Sequence, residues 1–149
     1  MRRALLQAGH AEDETEAAIA RLRRENLLDD GRFSARFAAS RIGRGGMGSR
    51  RVRQALQRRG VSPRVAAAGL AEALHDVSEA DALDRVARTY WRQRSGDDPE
   101  RRVRRLWRFL LGRGFSPDLI RERVRALWPK HRAALEGMEP LAPEEMETA

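Results

Sequence analysis

The sequence RGVSP at residues 59–63 recurs as RGFSP at residues 113–117, and these two stretches decide the predicted fold. In each copy the glycine suits the position just past a helix end, where the backbone often adopts a positive φ. The serine can cap the next helix by accepting a hydrogen bond from its first amide groups, and proline fits the first helical position. Each stretch therefore predicts the end of one helix and the start of another.

The residues around the two copies also correspond, at the same offset of 54 positions. Leu56 matches Leu110 before the turn, and Leu70 matches Val124 after it. Self-similarity at a fixed period indicates repeated structural units. A weaker third copy at the N-terminus aligns Gly9 with the turn glycines but lacks the Ser-Pro pair.

The pattern of apolar residues predicts helices throughout, because no stretch alternates apolar and polar residues at period two. We predict an all-α fold of tandem three-helix repeats, each resembling a helix-turn-helix unit, in an elongated array. Residues 1–26 are expected to form a partial, truncated first repeat, residues 27–76 the second and residues 77–132 the third. Residues 133–149 form an acidic tail that we expect to be disordered.

Three local features of the second repeat lead to specific expectations. Phe33 and Phe37, spaced four residues apart on one predicted helix, are expected to pack in the core. The glycine-rich segment at residues 43–48 lacks the Lys-Ser/Thr pair and the preceding strand of a phosphate-binding loop, so we expect a mobile, basic connection. Ser49 follows this segment and is predicted to cap the next helix.

The charge of the chain is strongly asymmetric. The net charge is +8, and the residues after Met138 carry four glutamates and no positive charge, which leaves the first 138 residues at +12. Such a basic body attracts phosphate backbones, acidic membranes or acidic protein surfaces. Twenty-nine of the thirty positive residues are arginine. This favours bidentate recognition of phosphate or carboxylate, or reflects a GC-rich genome, and both interpretations stay open.

The sequence provides no recognisable catalytic or metal-binding constellation. The absence of cysteine excludes disulfides, zinc thiolate sites and thiol catalysis. His10, His75 and His131 lie far apart, and the acidic pairs at residues 29–30 and 97–98 are explained by helix capping. We therefore predict a protein that is not an enzyme and needs no metal or cofactor. No apolar run reaches membrane-spanning length, and we expect a cytoplasmic protein.

A surface rich in arginine is the best candidate for binding. On the second helix of each repeat, arginines occupy the side opposite the apolar face, without interleaved acids, and two further arginines precede the first such helix. The predicted surface comprises Arg41, Arg44, Arg50, Arg53, Arg58, Arg101, Arg104, Arg105 and Arg108. A charge run can be no more than a solvated helix face, but the same placement in both repeats favours a binding surface.

Two motifs resemble the RecX family, the regulators of the RecA recombinase. The first runs from residue 27 to residue 34 and is similar to the family's LDD-x-x-FA pattern, with Ser34 in place of alanine. The second, between Gly48 and Val61, is similar to its G-x-x-R-I-x-x-E-L-x-x-K-G-I pattern but lacks the acid before Leu56. The positions that carry the resemblance are Leu28, Asp29, Asp30, Phe33, Gly48, Leu56 and Gly60.

The resemblance covers about residues 2–130 and implies a function. A family member would bind the RecA filament on single-stranded DNA and inhibit its recombinase and ATPase activities, and we expect it to act as a monomer away from membranes. The first repeat is shorter than the family's usual N-terminal portion. Two alternatives stay open: a free-standing DNA-binding protein or transcription regulator that acts without RecA, and an adaptor whose arginines bind an acidic protein.

Overall fold

The computed structural model describes residues 2–24, 29–94, 98–135 and 138. Within these ranges the chain forms helices and no strand, which confirms the predicted all-α fold of tandem three-helix units. The elements are α1 (Arg2–Gln7), α2 (Glu12–Arg24), α3 (Asp30–Gly43), α4 (Ser49–Arg58), α5 (Pro63–Asp76), α6 (Glu79–Arg92), α7 (Pro99–Gly112), α8 (Pro117–Leu127) and a short 3₁₀ helix (Pro129–Leu135).

The two repeated turns have the predicted geometry. Gly60 and Gly114 adopt φ values of +84° and +88°, a region that side chains with a Cβ rarely occupy. Ser62 caps α5 by accepting a hydrogen bond from the Val65 amide at 3.3 Å. Ser116 caps α8 in the same way, and a proline starts both helices. The repeated sequence therefore specifies two equivalent helix–turn–helix corners.

Helices α3, α4 and α5 enclose one apolar core. Its fully buried members are Ala38, Ile42, Val52, Leu56 and Ala66. Close approach of α3 and α5 depends on small residues, since a Cβ on Gly69 would lie 2.4 Å from the Cβ of Ser34. The hydroxyl of Ser34 is buried and donates to the carbonyl oxygen of Asp30 at 2.6 Å, so this polar group is satisfied.

Helices α6, α7 and α8 and the 3₁₀ helix enclose a second core. Its fully buried members include Leu83, Val103, Leu106, Leu110, Phe115 and Ile120. Helix α6 also reaches the first core, because Ala82 packs there while Leu83 and Ala87 pack in the second. The two units therefore share one helix across their boundary.

The boundary between the units is held by direct contacts of the backbone. The Gly48 amide donates to the Arg113 carbonyl at 2.8 Å, and the Arg50 amide donates to the Gly114 carbonyl at 3.1 Å. The turn of one unit thus lies against the start of α4 in the other. A Cβ on Gly48 would stand 2.2 Å from the carbonyl carbon of Gly114, so glycine is needed for this approach.

This boundary contradicts two of the expectations from sequence. The segment at residues 43–48 was expected to be mobile, but Gly46 and Gly48 are buried and Arg113 Nη1 donates to the Gly45 carbonyl at 3.1 Å. Ser49 does not cap α4; Gly48 holds the cap position without a side-chain hydrogen bond. The carboxylate of Glu79, at the start of α6, accepts from the Ser49 amide at 2.8 Å and from its hydroxyl.

The expectation that both phenylalanines of α3 lie in the core is wrong for Phe33. Phe37 packs against the edge of the first core, whereas Phe33 is 45% exposed. The buried stripe of α3 contains Ala38 and Ile42. Phe33 and Phe37 lie one position to the side of that stripe, with ring centroids 5.8 Å apart, so only part of their surface faces the core.

Helices α1 and α2 pack on each other. The predicted tail begins at residue 133, but residues 133–135 belong to the 3₁₀ helix and Leu135 is buried in the second core. The disorder predicted beyond this point falls on residues 136–137 and 139–149, which lie outside the described residues. In the part of the chain that is described, no helix combines the length and apolar character needed to cross a bilayer.

Candidate functional site

A groove lined by arginines lies between α3, α4 and the end of α7. Its cavity volume is about 460 Å³. We call it the first arginine groove; the arginines that line it are Arg41, Arg50, Arg51, Arg58 and Arg59, and Phe37, Met47 and Leu111 contribute apolar walls.

The helical period of α4 explains why these arginines meet. Arg51 and Arg58 lie seven residues apart on one stripe of the helix, Arg50 lies on a neighbouring stripe, and Arg59 is the residue just after the helix end. Val52 and Leu56 occupy another side and are fully buried in the first core. Core packing of α4 therefore leaves its three arginines on the side of the groove, and Arg59 joins them from the turn.

Two guanidinium groups flank the ring of Phe37. The Arg41 Cζ atom lies 5.1 Å from the ring centroid, and the Arg59 Cζ atom lies 4.7 Å from it. Arg59 also donates to the Ala55 carbonyl at 2.9 Å, and Arg51 donates to the Gly112 carbonyl at 2.8 Å. Contacts of this kind limit the motion of a guanidinium while leaving further N–H donors for a ligand.

Among the described residues, the charged side chains that line the groove are all cationic. Several acids of the chain are engaged elsewhere. Asp84 accepts from Arg123 Nε at 2.9 Å, and this hydrogen bond, reinforced by the carboxylate charge, raises the pKa of Arg123. Glu100 forms an exposed ion pair with Arg104 at 3.7 Å. The field of the groove is therefore not neutralised from within its walls.

The structure brings together three of the nine predicted surface arginines: Arg41, Arg50 and Arg58. Arg44 lines a different groove, on the other side of the turn at residues 112–114, and Arg53 is exposed on α4 outside both grooves. The remaining four are exposed on α7 and line neither groove, namely Arg101, Arg104, Arg105 and Arg108.

Sequence reasoning missed Arg51 and Arg59 as members of the groove. Arg51 was hidden because a helical wheel does not show that the end of α7 lies beside α4. Arg59 had a visible signal, since it opens the RGVSP stretch and recurs as Arg113 at the repeat offset. An arginine that occurs in both copies of the turn, although the serine caps do not require it, is a candidate for a functional role.

The chemistry available to the groove is recognition of anions. Planar guanidinium groups bind phosphate or carboxylate through paired hydrogen bonds. Among the described residues, no group of three or more His, Asp or Glu side chains is arranged to hold a metal ion. The arginines of the groove are suited to binding an anion.

The comparisons with known proteins agree with this repeat architecture. Residues 29–70 match the family model for the second three-helix domain of RecX, and residues 78–123 match that for the third. The chain is 37% identical over 126 residues to the regulatory protein RecX of Trichlorobacter lovleyi, covering 82% of this chain and 80% of the relative. The chain belongs to the RecX family. The resemblance predicted from the two motifs is thereby confirmed.

Other RecX proteins are similar in sequence and in fold. Identity to the regulatory protein RecX of Chromohalobacter salexigens is 33% over 128 residues, covering 86% of this chain and 81% of the relative. The crystal structure of RecX from Lactobacillus salivarius has the same fold at 19% identity, with a TM-score of 0.72 over 85% of this chain and 81% of that chain. The chain thus belongs to a family of regulatory proteins.

The positions that carry the RecX motifs have structural roles in this chain. Asp29 caps α3 by accepting from the Arg32 amide at 2.9 Å, and Asp30 is the first residue of that helix. Leu56 is fully buried, and Gly48 permits the contact with the third unit. Leu28 lies outside the described residues, Phe33 is 45% exposed, and Gly60 forms the first repeated turn with a positive φ. These motif positions shape the scaffold that presents the arginines.

Proposed function

We propose that this RecX-family chain regulates a RecA recombinase by binding the RecA filament on single-stranded DNA through the first arginine groove. The observation that carries the proposal is the convergence of five arginines in one groove, to which the described part of the chain contributes no acidic side chain. Inside such a filament the candidate ligands are DNA phosphates and acidic side chains of the recombinase. Both are anions that guanidinium groups bind in pairs.

The expected consequence of binding is lower recombinase and ATPase activity. A rigid helical array that occupies the filament can block the changes of subunit arrangement that accompany ATP turnover. The exposed arginines predicted on α7 and on the outer side of α4, including Arg53 and Arg105, are proposed to extend the contact surface beyond the groove. Family membership supports a regulatory role, and the groove supports an anionic partner.

The test is the DNA-dependent ATPase rate of RecA, measured while the chain is titrated in. We expect inhibition, with the double variant Arg50→Gln/Arg58→Gln requiring roughly tenfold more protein for the same effect, about 1.4 kcal/mol of lost binding. The matched control is Arg64→Gln/Arg125→Gln, which removes the same charge from exposed positions outside the groove. Equal loss in both variants would show that net charge, and not the groove, is responsible.

A free-standing DNA-binding function is the second candidate, because a cationic groove can bind a polyanion without a recombinase. Sequence-specific recognition of DNA bases by α5 has little support, because Ala66, Gly69 and Leu70 of this helix are buried against the core of their own unit. If the chain binds DNA and leaves the ATPase rate of RecA unchanged at saturation, this second function replaces the first.

A further inference from the structure

A second groove, lined from both units, shares two features with the first: an arginine over an aromatic ring and the arginine of a repeated turn. It has a cavity volume of about 550 Å³ and lies beside the turn at residues 112–114, on the side of α6. We call it the second arginine groove; the arginines that line it are Arg44, Arg85, Arg94 and Arg113, and none of its lining residues within the described ranges is acidic.

Aromatic rings and guanidinium groups form a column along this groove. The ring of Tyr90 stacks on the ring of Phe109, with centroids 4.4 Å apart. The Arg94 Cζ atom lies 4.1 Å from the Tyr90 centroid, and the Arg113 Cζ atom lies 5.1 Å from the Phe109 centroid. A guanidinium therefore accompanies each ring of the pair, and cation–π contact limits its motion.

Part of this arrangement exists in the second unit. In both units an aromatic residue on the first helix is followed four residues later by an arginine whose guanidinium lies over its ring, as in Phe37 with Arg41 and Tyr90 with Arg94. The arginine that opens the repeated turn supplies a second guanidinium, which lies over the same ring in the second unit (Arg59 over Phe37) and over the neighbouring ring in the third (Arg113 over Phe109). The arginine of the repeated turn thus has a shared role that helix capping does not explain.

We propose that the second arginine groove is a second binding site for the phosphodiester backbone of single-stranded nucleic acid, so that one chain binds one strand at two places. The proposal deepens the proposed function by naming the ligand and a second site for it. Its test uses no recombinase, so that its failure is distinguishable from failure of the regulatory function.

Charge and repetition together favour nucleic acid over an acidic protein. Two neighbouring cationic sites within one chain match a ligand that itself repeats a negative charge at regular intervals. The two grooves are neighbours, because Gly112 and Gly114 line the first while Arg113 lines the second. A single extended strand can therefore pass from one to the other, and linkage of two sites raises affinity without any new contact.

The column also predicts what the site does not recognise. Arg94 covers the ring of Tyr90, and Arg41 and Arg59 cover that of Phe37, so these rings are occupied and do not offer a free platform for stacking bases. Recognition then depends on phosphates, which carry no sequence information. We expect thymine and cytosine oligonucleotides of equal length to bind within roughly twofold of each other.

The experiment compares the wild-type chain with Arg44→Gln/Arg94→Gln, using fluorescence anisotropy of labelled oligothymidylate at about 50 mM and about 200 mM salt. Arg85 and Arg113 are left intact because they donate to the backbone carbonyls of Gly43 and Gly45. We expect roughly fivefold to tenfold weaker binding at low salt and a salt slope that is smaller in magnitude by about 1.4, the value for two lost contacts.

The dependence of binding on oligonucleotide length distinguishes a chain with two binding sites from a chain with one. A strand of about six nucleotides can occupy one groove at a time, so each double variant should lose one of two binding equivalents for this short ligand. A strand of about thirty nucleotides should bind with one equivalent and lose affinity in either groove variant. The proposal is overturned if Arg44→Gln/Arg94→Gln binds both ligands like the wild type, or if Arg64→Gln/Arg125→Gln loses as much.

Binding to an acidic peptide is the competing outcome. A labelled polyglutamate peptide of matched charge serves as the probe. If Arg44→Gln/Arg94→Gln weakens binding of the peptide and leaves that of the oligonucleotide unchanged, the second groove is a site for protein and the proposal fails. Circular dichroism of each variant confirms that the helices are retained, since all replaced side chains are exposed.

Discussion

At the scale of single residues, the glycines of this chain differ in whether the surrounding structure leaves room for a side chain, and the sequence alone does not show which do. A Cβ on Gly48 would meet the backbone of the third unit at 2.2 Å, whereas a Cβ on Gly112 would meet nothing within 4 Å. The first glycine permits two units to touch. The second ends α7 without any packing requirement, although it lines the first arginine groove.

These two positions give a matched pair of substitutions. We expect Gly48→Ala to lower the free energy of unfolding by about 1–3 kcal/mol, because the backbones must separate to admit the methyl group. Gly112→Ala should raise it by about 0.5–1 kcal/mol, because alanine restricts the unfolded chain and favours helix. Chemical denaturation followed by circular dichroism measures both. A neutral Gly48→Ala would show that the contact between Gly48 and Gly114 is not maintained in solution.

Individual residues also show the limit of prediction from sequence. The roles of Ser62, Ser116 and the turn glycines were predictable because a cap depends on neighbours within a few positions. The exposure of Phe33 was not, because it depends on which side of α3 meets α5. The partner of Ser49 was not predictable either, since Glu79 lies thirty residues away in sequence.

At the scale of elements, α4 illustrates how one helix serves packing, connection and function. Its apolar side supplies Val52 and Leu56 to the core, and its arginines line the first groove. Its N-terminus is capped from the next unit by Glu79, whose negative charge also interacts favourably with the helix dipole. The periodicity of α4 predicted its buried side, but the groove and the cap depend on how the units dock.

The cap on α4 can be tested by removing its carboxylate. We expect Glu79→Ala to lower the free energy of unfolding by about 1 kcal/mol, the usual cost of losing an N-terminal cap. Glu72→Ala is the matched control, since Glu72 is an exposed residue of α5 and the change should stay within about 0.5 kcal/mol. Thermal melts of both variants in the same buffer provide the measurement. Equal melting temperatures would argue against a cap that crosses the boundary between units.

At the scale of the whole molecule, the repeat predicted which helices exist but not how the units adjoin. Helix bounds follow from local signals such as Pro63, Pro117 and the turn glycines. The two arginine grooves lie on either side of the turn at residues 112–114. Their position depends on the hydrogen bond between Gly48 and Arg113, which are 65 positions apart in sequence. Each groove is lined from both units, so recognition of a ligand depends on the integrity of their boundary.

The shared helix and the backbone contacts at the boundary predict that the two units unfold together. All three tryptophans, Trp91, Trp107 and Trp128, lie in the third unit, so their fluorescence reports on that unit alone. We expect Ile42→Ala, which opens a cavity in the fully buried core of the second unit, to cost about 2–5 kcal/mol and to lower the denaturation midpoint seen by tryptophan fluorescence.

The reason for this expectation is that Ala82 of α6 packs against the same core as Ile42, while its neighbour Leu83 packs against the tryptophan-bearing core. Loss of the second unit removes that packing and the two backbone hydrogen bonds from Gly48 to Arg113 and from Arg50 to Gly114. Leu74→Ala is the control, because Leu74 is 40% exposed and its truncation should hardly move the midpoint. A fluorescence transition that stays in place while the helical signal divides into two steps would mean that the units unfold independently, and that the two grooves are coupled only through the ligand.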